Sequence, residues 1–190
     1  MSTYIWYAGY GSNLNRQRFL CYIEGGTPLF GTQPNTGCTD KTLPLDNRFI
    51  LIPYRLYFAW PDGMPDSKNW GRGGVAFLDP QKIMEENEFS FVRIWKITSE
   101  QYEEIQDQEG KTLYDKEINI GELDGIPIKT MTHSTLFDIQ KPSATYLKTI
   151  MFGIQESGLR VTDSISYLKT KEGIAGHIRD EEISAIFNSK

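Results

Sequence analysis

Tyr7-Ala8-Gly9-Tyr10-Gly11-Ser12-Asn13-Leu14 is the stretch around which the rest of the 190-residue chain is organised. Before it, Tyr4 to Tyr7 is aromatic and β-branched and reads as a strand. After it, Leu14, Arg18, Phe19, Tyr22 and Ile23 recur at helical spacing. A strand, a glycine turn and a helix start therefore fall within a few residues. Gly9 and Gly11 carry no Cβ, so the backbone can take positive φ and a ligand can come close. Ser12 and Asn13 are both good N-cap residues. The unpaired N–H groups of such a helix start favour a carboxylate or another anion. Two readings stand at this point: a small pocket for a negatively charged group, or a turn that merely joins a strand to a helix.

Working outward, residues 25 to 47 are rich in Gly, Pro, Thr, Asn and Asp and read as a long irregular connection. Loops of this length in a compact domain are often functional. Phe49 to Trp60 is strand-like, with Pro53 dividing it or placing it at an edge. A polar loop from Pro61 to Gly71 leads to a strand over Gly73 to Leu78. Asp79-Pro80 predicts a short helical turn ending in the acidic, solvated patch Glu85 to Glu88. Phe89 to Ile97 is a strand. Thr98 with Gln101 three residues later has capping-box spacing, and the helix it opens stops at Gly110. Leu113 to Ile120 and Ile126 to Thr132 are strands joined around Asp124-Gly125. Pro142-Ser143 opens an amphipathic helix whose stripe of Tyr146, Leu147, Ile150, Met151 and Ile154 is core, and Gly158 ends it. A last helix spans Arg179 to Phe187. Consecutive strands with inserted helices predict one α+β domain over residues 1–190, with a mixed or antiparallel sheet forming a small barrel flanked by helices.

The bulk composition narrows the function. Hydrophobic content of 39% and charged content of 24% suit a soluble globular protein. A net charge of -5 without a basic stripe argues against nucleic-acid binding, which needs clustered Lys and Arg. No apolar run is long enough for a membrane span, and no basic and apolar leader pattern opens the chain, so a cytoplasmic location is the expectation. Cys21 and Cys38 form no Cys-x-x-Cys pair, which argues against a disulfide framework or a zinc site. His133 and His177 lack metal-ligand spacing and read as structural or solvated. Ser12 sits in no Gly-x-Ser-x-Gly elbow, and the glycine loop is too short for a dinucleotide fingerprint. No cofactor is expected. By its sequence surroundings alone Glu109 is one acid among 25.

Four segments resemble the gamma-glutamyl cyclotransferase superfamily in the same order. They are Tyr10 to Leu14; Trp70-Gly71-Arg72-Gly73-Gly74-Val75-Ala76; Glu104 to Gly110; and Pro142-Ser143 through Tyr146-Leu147 to Gly158-Leu159. The resemblance covers about residues 4 to 160. It implies that the α-amino group of a γ-glutamyl amide attacks its own γ-carbonyl, giving 5-oxoproline and a free amine. Glu109 matches the catalytic acid/base. Tyr10, Gly11, Ser12 and Asn13 match the loop that holds the glutamyl group, with Leu14 continuing the motif as packing. Gly74 is expected to keep the backbone close to the substrate and Tyr146 to wall the pocket. The implied partner is a small-molecule γ-glutamyl substrate, with no nucleic acid or membrane, and the chain is expected as a monomer or homodimer.

The chain also departs from the family pattern. Gly158-Leu159-Arg160-Val161-Thr162-Asp163 lacks the proline and tyrosine found there in relatives, Phe137 stands where a pocket tyrosine can occur, and the 25–47 loop is longer than in compact members. Asn13 argues against the glutathione-specific branch, whose loop lacks the asparagine. Two other readings stay open: removal of a γ-glutamyl tag from a specialised metabolite or amine, and a non-catalytic module that binds a small acidic ligand.

Overall fold

The structure is a computed structural model that describes residues 3–188. Strand β1, Tyr4–Gly9, is buried beyond its first residue. Its side chains alternate between two cores, Trp6 and Ala8 in one and Ile5 and Tyr7 in the other. Burial on both faces is why this strand is apolar or aromatic at every step rather than at every second one. It pairs antiparallel with β5, Ser90–Thr98, and parallel with β7, Ile126–Thr132. With β2, Asp46–Ile52, and β6, Lys116–Leu123, at the edges, the sheet has the order β2-β5-β1-β7-β6. Strands β3, Tyr54–Ala59, and β4, Val75–Lys82, form a second, two-stranded sheet. The α+β class and the mixed sheet match the expectation.

The expected small barrel is instead these two sheets. Pro53 divides the chain between them: Ile52 pairs with Ser90 of β5, while Tyr54 pairs with Lys82 of β4. Where closure calls for a ladder between β4 and β7, one side chain makes the join. The Thr132 hydroxyl accepts from the Leu78 N–H at 3.0 Å and donates to the Leu78 carbonyl at 2.6 Å. The helical turn expected at Asp79-Pro80 is also absent. Both residues lie in β4, and a register shift opposite Tyr54 and Leu56 absorbs the proline, which has no N–H to give a ladder.

Helix α1, Arg16–Glu24, begins later than the sequence suggests. Ser12–Leu14 form a 3-10 turn, and Asn15, not Ser12 or Asn13, caps α1 by accepting from the Arg18 N–H. Helix α2, Ser99–Glu109, carries the expected Thr98–Gln101 capping box and stops at Gly110. Helix α3, Ala144–Gln155, is capped by Ser143. Helix α4, Val161–Lys169, was not expected, and α5 spans Asp180–Asn188. Phe19 and Tyr22 of α1 and Tyr102 and Ile105 of α2 share the core of Ile5, Tyr7 and Trp95. Strands β3 and β4 and the apolar stripe of α3 share the other core.

A polar cluster around buried Arg93 holds the end of α3 against the glycine loop. Arg93 of β5 is buried; its guanidinium pairs with Glu156 and donates to the Leu14 carbonyl at 3.1 Å and to Asn47 Oδ1 at 2.9 Å. Glu156 also accepts from Asn15 Nδ2 at 2.9 Å and from the Arg16 N–H at 3.0 Å. Glu156 is exposed, so what loss of the guanidinium strands is the buried Leu14 carbonyl, which is left without its donor. Arg93→Met is therefore expected to lower stability by about 1 to 3 kcal/mol, read from the midpoint of a urea melt.

Candidate active site

At the C-terminal end of β1 the chain turns through Gly9 and Gly11 into the 3-10 turn, and a cavity of about 360 Å³ opens there. Tyr10, Gly11, Ser12, Asn13, Glu109 and Tyr146 all line it. Leu14 and Gly74 do not. Leu14 is fully buried in the core, and a Cβ on Gly74 would collide with the Gln140 carbonyl oxygen and lie 2.9 Å from the Ala59 nitrogen. Gly74 thus serves the packing of residues 140–142 against β4. His133 and His177 are not in the cavity wall.

The centre of the site is Asn13. Its Nδ2 donates to Glu109 Oε1 at 2.7 Å and to the Tyr7 hydroxyl at 2.8 Å, and its backbone carbonyl accepts from Trp95 Nε1 at 3.0 Å. The amide orientation follows from chemistry, since a flipped amide would face its oxygen to the carboxylate. Glu109 is the last residue of α2 and is half-buried. The turn of the chain at Gly110, with φ of 89°, ends the helix there.

Tyr146, from α3, faces Glu109 across the cavity wall. Its hydroxyl oxygen accepts from the Ala76 N–H at 3.1 Å and from the Ser12 N–H. A phenol has one proton, and with both contacts being donors to it, that proton is free to point into the cavity. Burial pushes the Tyr146 hydroxyl up to about 12, opposed by the Ala76 N–H and reinforced by Glu109. Gly11 passes close under this hydroxyl: a Cβ there would lie 2.6 Å from it and 3.0 Å from the Ala76 Cβ. Here the glycine is required by contact. Tyr10 turns the other way and donates to the Met131 carbonyl at 2.6 Å.

Sequence reasoning missed several wall residues. Tyr7, Tyr22, Trp70, Tyr114 and Met131 contribute aromatic and apolar surface, and Arg18 a positive charge. Arg18 is 4% exposed, and its guanidinium donates to Asn35 Oδ1 at 2.9 Å and to the Tyr22 hydroxyl. A signal for it was present, because an arginine within the apolar face of an amphipathic helix has a reason to be buried. The long 25–45 loop contributes Asn35 to the wall. It is tied to the 61–72 loop through Asn69 Oδ1, which accepts from the Gln33 N–H at 2.8 Å and the Thr32 N–H at 3.2 Å.

The phenols around the cavity give the fold an alkaline limit. Burial raises Tyr7, Tyr10, Tyr22, Tyr114 and Tyr146 above the ordinary phenol value. Each keeps its proton in the folded state at a pH where the unfolded chain loses it. Their stabilising contribution is full below about pH 10 and is lost as pH rises through the folded values. Thermal melts are expected to show a falling midpoint above about pH 10, and a midpoint flat to pH 12 contradicts this.

No helix among the described residues is long and apolar enough to cross a membrane. No group of three or more His, Cys, Asp or Glu among the described residues is arranged to hold a metal ion. No family model matches the chain. By structure it is similar to a gamma-glutamyl cyclotransferase, with a TM-score of 0.62 and 20% identity over 98% of this chain and 99% of that one. It is also similar to an uncharacterized protein from Homo sapiens, with a TM-score of 0.61 and 21% identity over the same shares. By sequence it is 28% identical over 194 residues to histone deacetylase 5 of Arabidopsis thaliana, the match covering 81% of this chain and 28% of that protein. The chain thus spans less than a third of that relative's length. The fold is the gamma-glutamyl cyclotransferase-like fold.

Proposed function

We propose that this chain cleaves a γ-glutamyl amide by intramolecular aminolysis, releasing 5-oxoproline and the free amine. The observation that carries this reading is the meeting of Asn13 and Glu109 in one cavity, at 2.7 Å and 96 residues apart in sequence. The loop that suits an anion and a carboxylate that suits proton transfer are held together there. A cavity of about 360 Å³ is the size of a small-molecule site.

The chemistry asks little of the protein. The wall folds the glutamyl chain so that its α-amine approaches its γ-carbonyl carbon, and holding reactants in this way supplies much of the rate. Glu109 takes a proton from the attacking amine. The Tyr146 hydroxyl and the glycine-loop N–H groups offer donors to the oxyanion. As the tetrahedral species collapses, Glu109 returns the proton to the departing amine. The amine component is open to the γ-glutamyl tag reading as well as to peptides.

The test uses the α-amine itself. Wild-type protein is expected to release 5-oxoproline, and not glutamate, from at least one of a panel of γ-glutamyl dipeptides and γ-glutamyl amines. The N-acetylated form of the same substrate is expected to be inert. Release of glutamate, or turnover of the N-acetylated compound, overturns intramolecular aminolysis. The second reading, an acidic-ligand binder without turnover, is favoured by buried Arg18. It predicts a raised melting temperature with 5-oxoproline or glutamate and no release from any panel member.

A further inference from the structure

Tyr22 and Arg18 lie one helical turn apart on α1, on the face turned to the cavity. Both are buried, at 2% and 4% exposure. The Arg18 guanidinium donates to the Tyr22 hydroxyl and lies 4.1 Å from the centre of its ring. A guanidinium can only donate. The Tyr22 oxygen is therefore an acceptor on that side, and its single proton must be used elsewhere. Tyr22 and Glu109 line the same cavity wall, and the charge of Glu109 is felt at the Tyr22 phenol. The same residue secures the preceding position of α2, because its backbone carbonyl accepts from Gln108 Nε2 at 3.0 Å. On the other side Glu109 is held by Asn13.

We propose that Arg18 and Tyr22 form a positioning pair for Glu109, in which the guanidinium fixes the phenol so that its proton is presented to the carboxylate opposite Asn13. The role rests on the reading of Glu109 as the acid/base. It gives buried Arg18 its work: its charge is balanced by Glu109 one tyrosine away, while its direct partners, Asn35 and Tyr22, are uncharged. With donors on both sides the carboxylate is confined to one rotamer in reach of a bound amine. Neither Arg18 nor Tyr22 needs to touch substrate for this.

Tyr22→Phe keeps the ring and removes only the hydroxyl. It is expected to lower kcat about tenfold with KM changed less than about twofold. Arg18→Met is expected to lower kcat to a similar extent, and the double variant to be no worse than about twofold below the weaker single one, since the two act through one contact. Thermal melts on each variant separate these effects from unfolding. The substrates are a γ-glutamyl amino acid and a γ-glutamyl alkylamine. Equal losses on both support positioning. A loss by Arg18→Met confined to KM for the carboxylate-bearing substrate overturns it and makes Arg18 a substrate anchor. Crystal structures of wild type and Tyr22→Phe read the same claim without turnover. Departure of Glu109 from Asn13 in the variant supports the pair, and an unmoved Glu109 overturns it. If wild type releases no 5-oxoproline, the proposed reaction fails while the crystallographic comparison still decides the positioning claim.

Discussion

Glu109→Gln is expected to lower 5-oxoproline release by about 10² to 10⁴-fold, the range for loss of a positioned general acid/base. The substitution preserves shape, and the new amide keeps a carbonyl oxygen for Asn13 Nδ2, which donates to Oε1 at 2.7 Å in the native site. What it removes is the capacity to take and return a proton. The folded state, read by circular dichroism and melting temperature, is expected to stay close to wild type because Glu109 is only half-buried at a helix end. The result also separates Glu109 from its neighbours. The tyrosines of the wall are raised by burial and stay neutral near neutral pH, so none of them is a base there. Residual activity near the wild-type level places the proton transfer on another group.

Gly153→Ala is expected to be strongly damaging although it lies away from the cavity. In an ordinary helix interior this change stabilises by up to about 1 kcal/mol. Here the Cβ would lie 2.5 Å from the Leu14 carbonyl carbon and 2.6 Å from the Leu14 Cβ, and would collide with the Asn15 nitrogen. These atoms are the floor of the glycine loop and cannot rotate away. Either α3 retreats or the loop shifts, and overpacking of this kind costs about 1 to 3 kcal/mol. For a chain of this length that is roughly a 2 to 12 °C fall in melting temperature. Activity is expected to fall more than stability. A displacement of about 1 Å at the loop moves Asn13 relative to Glu109 and costs about 100-fold in rate. Melting curves and 5-oxoproline assays on one preparation check both numbers. A variant as active as wild type removes α3 from the account of how the loop is held.

Much of the fold was legible in the sequence because its signals were local. Pro53 divided a strand-like run, Thr98 and Gln101 formed a reciprocal cap, and Ser143 started α3, each within a few residues. The misreadings came where the deciding contact was distant or the local signal poor. Helix α4 has no side-chain cap at Arg160 and buries only Ser164 and Leu168, so neither its start nor its periodicity stood out. Asp79-Pro80 reads as a helix start in isolation, but β3 supplies a partner strand and a register shift for the proline. Ser12 and Asn13 have capping chemistry, yet their side chains are buried at the cavity, and Asn15 caps the helix instead.

The site divides in the same way. The glycine loop could be read from residue type, since close approach to Tyr146 leaves no room for a Cβ at Gly11. Glu109 could not be told from 24 other acids by spacing, and only the resemblance of its segment singled it out. The reason is physical: its partner Asn13 is 96 residues away, and the sheet pairing of β1 with β5 and the packing of α2 bring them together. Arg18 and Tyr22 were visible as neighbours at helical spacing, but their polarity toward Glu109 depends on how α1 and α2 pack.

The most direct test of the account is a single mass-spectrometric assay of wild type and Glu109→Gln on a panel of γ-glutamyl dipeptides, amines and glutathione. Release of 5-oxoproline and free amine in equal amounts by wild type, with little or none from the folded variant, is the predicted result. Equal release by both proteins, or none by a folded wild type across the panel, contradicts the claim that Asn13 and Glu109 form the working centre of a γ-glutamyl cyclotransfer site.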